Sequence, residues 1–352
     1  MVVQKPDKAR DGARAAALGD GPVPTHRPGS SVGAAPLSAR VDEALDGMRL
    51  DQAAARLFPD FSRARLQAWI RDGHLTLDGS IARPRERVRA GGRLELVPAA
   101  EDEVSWEGEA LPLVLLHEDE DLIVVDKPAG LVVHPGAGNH SGTLVNALLA
   151  HRPDLARLPR AGIVHRLDKD TSGVLVVAAS ERAHRSLVEQ LQAKTMRRDY
   201  VAVARGRLVG GGTVDAPIGR HPRQRTRMAV VASGGKPAVT HYRIRERFAH
   251  HTALDVSLET GRTHQIRVHL AHRGYPLLGD PVYGGRLQLP RGAGEELIAG
   301  LRAFRRQALH ARRLQLQHPG SGEACTFVSP LAADLERLLA CLRSGDAPVA
   351  AY

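Results

Sequence analysis

"GIVHRLDKDTSG" occupies residues 162–173, and the apolar run "VLVVAAS" follows directly as residues 174–180. Read locally, a hydrophobic strand enters a bend crowded with His165, Arg166, Asp168, Lys169 and Asp170, passes a Thr-Ser-Gly step and leaves as a second strand. Strands joined this closely pair as antiparallel neighbours, because a parallel crossover needs a dozen or more residues. Turn chemistry explains part of the composition. Asp170, Thr171 and Ser172 can bond their own backbone, and Gly173 tolerates unusual angles. It does not require two carboxylates, an Arg, a Lys and a His together. Asp168 is therefore either turn chemistry in a plain hairpin or the working carboxylate of an enzyme, and these residues alone leave both open.

The same short-connection pattern extends outward over about residues 111–345. "LVLLHED", "LIVVDKP", "LVVHPG", "IVHRLD", "VLVVAAS" and "YVAVARG" read as strands, and "TLVNALLAH", "ERAHRSLVEQLQAK", "HQIRVHLAHRG" and "AADLERLLACL" as helices. Many connections have no room for a crossover helix. The expected fold class is α+β, a mixed and mainly antiparallel sheet with flanking helices, rather than a doubly wound α/β fold. No repeat of 20–50 residues is visible.

The chain has 352 residues, 43% of them hydrophobic, enough for two domains with real cores. Its formal charge is +10, and only six of the 49 basic residues are Lys. Arginine offers a planar fork that suits phosphate, so the charge points to an anionic partner such as nucleic acid, while composition alone leaves a merely Arg-rich coding habit equally open. Aromatics make up 3%, too few for stacking platforms to dominate. Two cysteines exclude a disulfide framework or a Cys-rich zinc site. No apolar run reaches membrane-spanning length and the N-terminus lacks a signal-peptide core, so the expected location is the cytoplasm, without a membrane partner. Residues 1–45, rich in Ala, Gly, Pro and Ser with nearly balanced charge, read as a disordered tail. The positive charge then belongs to the folded part.

Residues 48–97 hold ten Arg against six acidic residues. Leu50, Ala53, Ala54 and Leu57 repeat at helical spacing; Ser62 can cap a second helix carrying Ala64, Leu66 and Ile70, which Gly73 ends. "HLTLDG" and "RLELV" read as short strands. Arg63, Arg65 and Arg71 lie on or beside the second helix, as a solvated face or as an RNA-contacting one. "RLDQAAARL", "SRARLQAWIRDGHLTLDG" and the closing strand resemble the S4-type RNA-binding domain. The resemblance implies a small α/β module over residues 47–100 that binds structured RNA through its backbone. An acidic, Trp-containing link, "AAEDEVSWEGEALP", separates it from the second domain, residues 111–345.

Two further clusters bear on Asp168. In "LETGRTHQIRVHLAHRGYPLLGDPVYGG", residues 258–285, Gly261 permits a turn, Thr263 can cap a helix, and His264 and Arg267 are three apart and share a face. In "RRDYVAVARG", residues 197–206, Tyr200 opens an aliphatic strand. Alone, the first is a basic helix and the second an ordinary strand aromatic. Together with "GIVHRLDKDTSG" and "DEDLIVVDKPAGLVVHPGAGNHSGTLVNALL" they resemble the pseudouridine synthases of large-subunit ribosomal RNA, over roughly residues 48–342. That resemblance implies that Asp168 is the catalytic aspartate and that Tyr200 stacks in the site and helps move a proton. It implies that Arg267, or alternatively Arg262, pairs with Asp168, that Arg166 contacts the RNA vacated by the uridine, and that His165 and Thr171 lie at the substrate. It implies ribosomal RNA, free or in a precursor particle, as the partner.

The chemistry suits those roles. Uridine becomes pseudouridine by detaching the base at N1, turning it and rejoining it through C5, with no atoms gained or lost. No cofactor is needed. A carboxylate can attack the sugar C1′ or the base C6, or abstract a sugar proton; each route needs it charged in a dry pocket, which an adjacent Arg supports. A uridine in folded RNA must first leave its stack, at a cost of a few kcal/mol that phosphate contacts offset. A monomer is expected. The rivals are weaker. His134, His140, His165, His264, His269 and His272 form no HExxH motif and lack placed carboxylates, so no metal is expected. "HPGAGNHSGT" lacks the ending of a phosphate loop. A non-catalytic RNA-binding or ribosome-assembly protein explains the charge equally well, but not the combination of Asp168, Tyr200 and Arg267.

Overall fold

The computed structural model describes residues 36–98, apart from 60 and 62, and residues 106–346, apart from 136–138, 140 and 225. Residues 1–35, the expected cap Ser62 and His140 lie outside them. The chain folds as two compact units divided near residue 104.

In the first unit β1 (Leu37–Arg40) precedes α1 (Leu50–Leu57), α2 (Arg63–Asp72), β2 (Leu75–Leu77) and β3 (Arg93–Leu96), with sheet order β1-β3-β2. Both helices fall where their apolar spacing put them, and Gly73 takes a positive φ of 81° after α2. The tail expected over residues 1–45 is wrong at its C-terminal end. Leu37–Arg40 pairs antiparallel with Arg93–Leu96, and Val41 and Leu45 are buried with Leu50, Leu66, Ile70 and Leu94. Four residues in a Gly/Pro-rich context show no readable period; the partner strand's free edge orders them. Asp51 is fully buried and accepts from Arg49 Nε (2.9 Å) and Arg63 Nη2 (2.6 Å).

The second unit contains β4 (Leu115–Glu118), β5 (Leu122–Lys127), α3 (Leu144–His151), β6 (Ser172–Ala178), α4 (Glu181–Gln192), β7 (Arg197–Arg205), β8 (Gly212–Asp215), β9 (Ile218–Arg220), β10 (Met228–Val230), β11 (Val239–Arg247), β12 (His251–Leu258), α5 (Gln265–His272), α6 (Glu295–Ala303), β13 (Leu309–Gln317), β14 (Ala324–Val328) and α7 (Ala333–Gly345). Among the described residues nine strands form one sheet in the order β4-β5-β6-β13-β7-β12-β11-β8, with β14 also on β13; β9 and β10 form a separate ribbon. Every pairing in the large sheet is antiparallel except β6 with β13. The mixed, mainly antiparallel α+β fold is thus the one expected.

Helices cover both faces. Tyr200, Ala202 and Ala204 of β7 join a core with residues of α3, α4 and α5, whereas Val203 packs with α6 and α7. Burial on both sides makes β6 an unbroken apolar run. Thr143 and Ser180 cap α3 and α4, and the Thr143 cap is a full capping box with Asn146.

Two expected strands are absent. Residues 131–136 make one isolated bridge, Val132 with Thr143, where described, and residues 163–168 make one, Ile163 with Val177. The bend at Asp168 is therefore not a hairpin between two strands. The His165 imidazole, not a strand carbonyl, accepts from the Val176 N–H at 3.1 Å. At the other end of β6, Gly173 has φ 111°, and a Cβ there would lie 2.1 Å from the Ala311 carbonyl oxygen. Only glycine lets β13 approach this closely.

Candidate active site

Asp168 sits between the loop entering β6 and the N-terminal end of α5. Its backbone carbonyl accepts from Thr171 N (3.0 Å), which makes the turn. Its side chain, 14% exposed, accepts from Arg267 Nη1 at 2.9 Å. The main chain of Asp168 thus serves the bend, while its carboxylate meets a guanidinium from 99 residues away.

Arg267 is held from behind. Its Nε donates to Asp280 Oδ2 (2.7 Å) and its Nη2 to Asp280 Oδ1 (2.9 Å). Asp280 Oδ1 also accepts from Val282 N (2.8 Å) and Tyr283 N (3.0 Å). Burial opposes charge on this pair, but the Arg267 hydrogen bonds and charge hold the Asp280 carboxyl below its ordinary range, and Asp280 then Asp168 raise the guanidinium further. The Arg267 guanidinium also lies 5.1 Å from the Tyr283 ring centre. His264, at φ 58°, precedes α5; its Nδ1 is 2.8 Å from Tyr283 Oη and its Nε2 4.0 Å from Asp168 Oδ1. Burial, with the Arg267 charge, lowers its pKa despite Asp168. Thr263 is not the cap expected: His264 takes that position, and Gln265 Oε1 accepts from Arg262 N at 2.9 Å.

Asp168, His264 and Arg267 line a cleft of about 860 Å³ with Tyr200, Arg166, Arg198, His165, His134, Lys194 and Arg262. Tyr200 is 6% exposed, and burial raises its hydroxyl pKa. Arg166 is exposed at the cleft. Arg262 does not reach Asp168; its Nε donates to Pro237 O at 3.0 Å, so Arg267 is the arginine at the carboxylate. His165 lines the cleft, but its Nε2 is taken by Val176 N, and burial together with Arg198 lowers its pKa to about 3. Thr171, also expected at the substrate, is 2% exposed, and its hydroxyl accepts from Gln307 Nε2 at 3.1 Å. In the first unit, Arg63 directs Nε and Nη2 onto Asp51, Arg65 lies 5.7 Å from the Trp69 ring, and Arg71 is exposed.

The sequence reading missed four supports of the Asp168 turn. Lys127 is fully buried and donates to the carbonyls of Pro128 (2.8 Å), Leu131 (2.9 Å) and Lys169 (2.9 Å); burial lowers its pKa to about 7. Arg306 Nη1 donates to Asp170 O (3.0 Å) while Nε and Nη2 hold Asp334. Gln307 and Asp280 complete the set. The signal for Lys127 was a lone Lys ending an apolar strand, in a chain with six Lys in all.

Among the described residues His117, Asp119 and His318 bring three ligand-type atoms within 4.8 Å. His318 Nδ1, however, accepts from Gly320 N and Ser321 N (both 3.2 Å), which leaves the proton on Nε2 to donate to Asp119. A metal ligand has the opposite arrangement, donating through its other ring nitrogen. None of the three lines the cleft, and among the described residues no helix is long and apolar enough to cross a membrane.

The RNA pseudouridylate synthase family model matches residues 121–272, and the S4 domain model residues 48–94. A protein of Xanthomonas campestris pv. campestris named ribosomal large subunit pseudouridine synthase D is 55% identical over 312 residues, covering 89% of this chain and 94% of its own. A protein of the same name from Pseudomonas aeruginosa is 56% identical over 306 residues, covering 87% and 95%. The solved structure of human RNA pseudouridylate synthase domain containing 4 superposes with a TM-score of 0.51 at 26% identity, covering 65% of this chain and 92% of that one. With an S4 domain ahead of an antiparallel catalytic sheet and relatives of this identity along nearly its whole length, the chain belongs to the RNA pseudouridylate synthase family, and is an isomerase.

Proposed function

We propose that the protein isomerises specific uridines of large-subunit ribosomal RNA to pseudouridine in the cytoplasm, with Asp168 as the reacting carboxylate on a uridine turned out of its stack. The observation that carries this reading is the Asp168–Arg267 pair at 2.9 Å in a cleft that also holds Tyr200. The names of the relatives supply the substrate class.

Arg267 presents one N–H to Asp168 and is itself fixed by Asp280, so the carboxylate is oriented without being enclosed. One Asp168 oxygen meets Arg267; the other, 4.0 Å from His264, is the atom available to the sugar or base. Tyr200, protonated across the physiological range, offers a ring to stack on and a hydroxyl to pass a proton. Arg166 at the cleft contacts the RNA that the uridine has left, and the S4 unit adds phosphate contacts through exposed groups such as Arg71. The isomerisation balances without a cofactor.

Asp168→Asn keeps the shape and removes the charge. Its expected result is unchanged affinity for large-subunit RNA with no pseudouridine formed, measured by filter binding and by nucleoside analysis of the same samples. Normal turnover in this variant overturns the assignment. It also separates an enzyme from a non-catalytic RNA binder, which has no use for a sheltered carboxylate.

A further inference from the structure

Most cations lining the cleft are already accounted for. Arg267 is held by Asp168 and Asp280, Lys194 donates to Glu259 (2.9 Å), and Arg262 donates to Pro237 O. Arg160 and Arg166 are exposed, so water solvates them. Arg198 differs. It is 7% exposed, its Nε has no hydrogen-bond partner, and its guanidinium makes no hydrogen bond or ion pair among the described residues. A buried guanidinium without counter-charge is costly, and a native fold rarely keeps one without a reason.

The surroundings show where its partner comes from. Arg198 and Tyr200 stand two residues apart on β7 and so share a sheet face, roughly 7 Å apart. The intervening Asp199 projects from the other face, where it pairs with Arg197 (3.1 Å) and Arg313 (2.7 Å). The remaining acid of the cleft wall, Glu259, accepts from Lys194 and lies 2.8 Å from His241 Nε2. Opposite Arg198 the chain carries Gly261, where a Cβ would lie 2.8 Å from Arg198 Nη1. Any larger residue there presses on the guanidinium, so the glycine leaves it room. The described protein thus offers Arg198 space and no anion.

We propose that Arg198 receives a backbone phosphate of the substrate strand beside the everted uridine, anchoring that nucleotide while its base meets Tyr200. This rests on reading the cleft as the nucleotide site. A phosphate matches the fork of the guanidinium with two parallel acceptors. A nucleotide also brings its base and phosphate into one site at a separation comparable with the Arg198–Tyr200 spacing. Arg198 is then a substrate-binding residue, distinct from the Asp168–Arg267–Asp280 series.

The test pairs Arg198→Met with an RNA hairpin cut from a segment that carries pseudouridine in cells. The hairpin is made with ordinary linkages or with a neutral methylphosphonate on either side of the target uridine. Kd is read by fluorescence anisotropy, and pseudouridine in the same samples by nucleoside analysis. One of the neutral linkages is expected to weaken wild-type binding about tenfold, and to weaken Arg198→Met by less than about twofold, because the partner of that phosphate is already gone. Without RNA, Arg198→Met is expected to melt at or above the wild-type temperature, since it removes an unpaired buried charge. Arg198→Gln serves in its place if the Met variant does not fold. Equal sensitivity of wild type and variant to both neutral linkages overturns the proposal. A wild type that shows the binding pattern yet forms no pseudouridine leaves the phosphate contact standing and overturns the enzymatic reading instead.

Discussion

Replacing Asp280 by Asn tests whether the geometry at Asp168 is imposed from behind Arg267. Asp280 has a fully buried side chain and accepts four hydrogen bonds. Three of them converge on Oδ1, from Arg267 Nη2, Val282 N and Tyr283 N, so an Asn keeps its carbonyl oxygen there. Its amide group must then take the Oδ2 position, donor against donor with Arg267 Nε, which is 2.7 Å away. The variant loses one charge-assisted hydrogen bond and the counter-charge of a guanidinium whose side chain is 5% exposed. Breaking a buried pair costs about 3–5 kcal/mol; with Asp168 still beside Arg267, the lower figure of about 3 kcal/mol applies. For a unit of this size that corresponds to a melting temperature lower by about 6–12 °C. Arg267 also loses the bidentate grip that aims Nη1 at Asp168, and a displacement near 1 Å at a reacting group costs about 100-fold in kcat. Differential scanning calorimetry and pseudouridine formation at saturating RNA, below the variant's melting temperature, give the two numbers. A variant within about 2 °C and about threefold of wild type refutes the reasoning, because Asp280 would then be neither structural anchor nor positioning group.

Lys127→Met leaves the carbonyls of Pro128, Leu131 and Lys169 without their donor; the expected loss is about 2–4 kcal/mol in urea unfolding, with reduced turnover because Lys169 adjoins Asp168. In the S4 unit, Arg49, Arg63 and Gln67 hold the Asp51 pKa at about 2 against burial, which opposes its charge. A folded value below the unfolded 3.8 gives stability that is present above pH 4 and lost as pH falls through 2, on the order of 2 kcal/mol in all. Asp51→Asn should abolish that pH dependence, read through Trp69 fluorescence in a Trp106→Phe background. Deleting residues 1–100 should weaken binding to large RNA and flatten the plot of log Kd against log salt by about 0.9 for each phosphate that is no longer neutralised; an unchanged slope argues against an RNA role for the S4 unit.

Where sequence reading held and where it failed follows the range of the interactions involved. Six of the seven α-helices were legible because their apolar spacing is a local feature, whereas α6, Glu295–Ala303, was not read. The loop at 163–168 was read as a strand because Ile163 and Val164 resemble one, yet a side chain, His165, took the backbone donor that a strand would have used. The family resemblance placed Thr171 at the substrate and the S4 resemblance offered Arg63 to RNA, but Gln307 and Asp51, distant in sequence, hold their polar groups. β1 escaped notice because its only reason to be a strand is the edge of β3.

The residue order by itself determined the S4-like segment, the α+β class, the Asp168 turn and the basic balance of the folded part, since each depends on neighbours a few positions apart or on summed charge. The tertiary structure alone decided that Arg267 rather than Arg262 meets Asp168, that Asp280 stands behind it, and that Lys127 and Arg306 tie down the turn. It also decided that β13 enters the sheet between β6 and β7. Each of these is a choice of partner across 13 to 138 positions. Many polar groups along a chain are chemically able to make any one such bond, and only packing selects the pair that comes within 3 Å in a place sheltered from water.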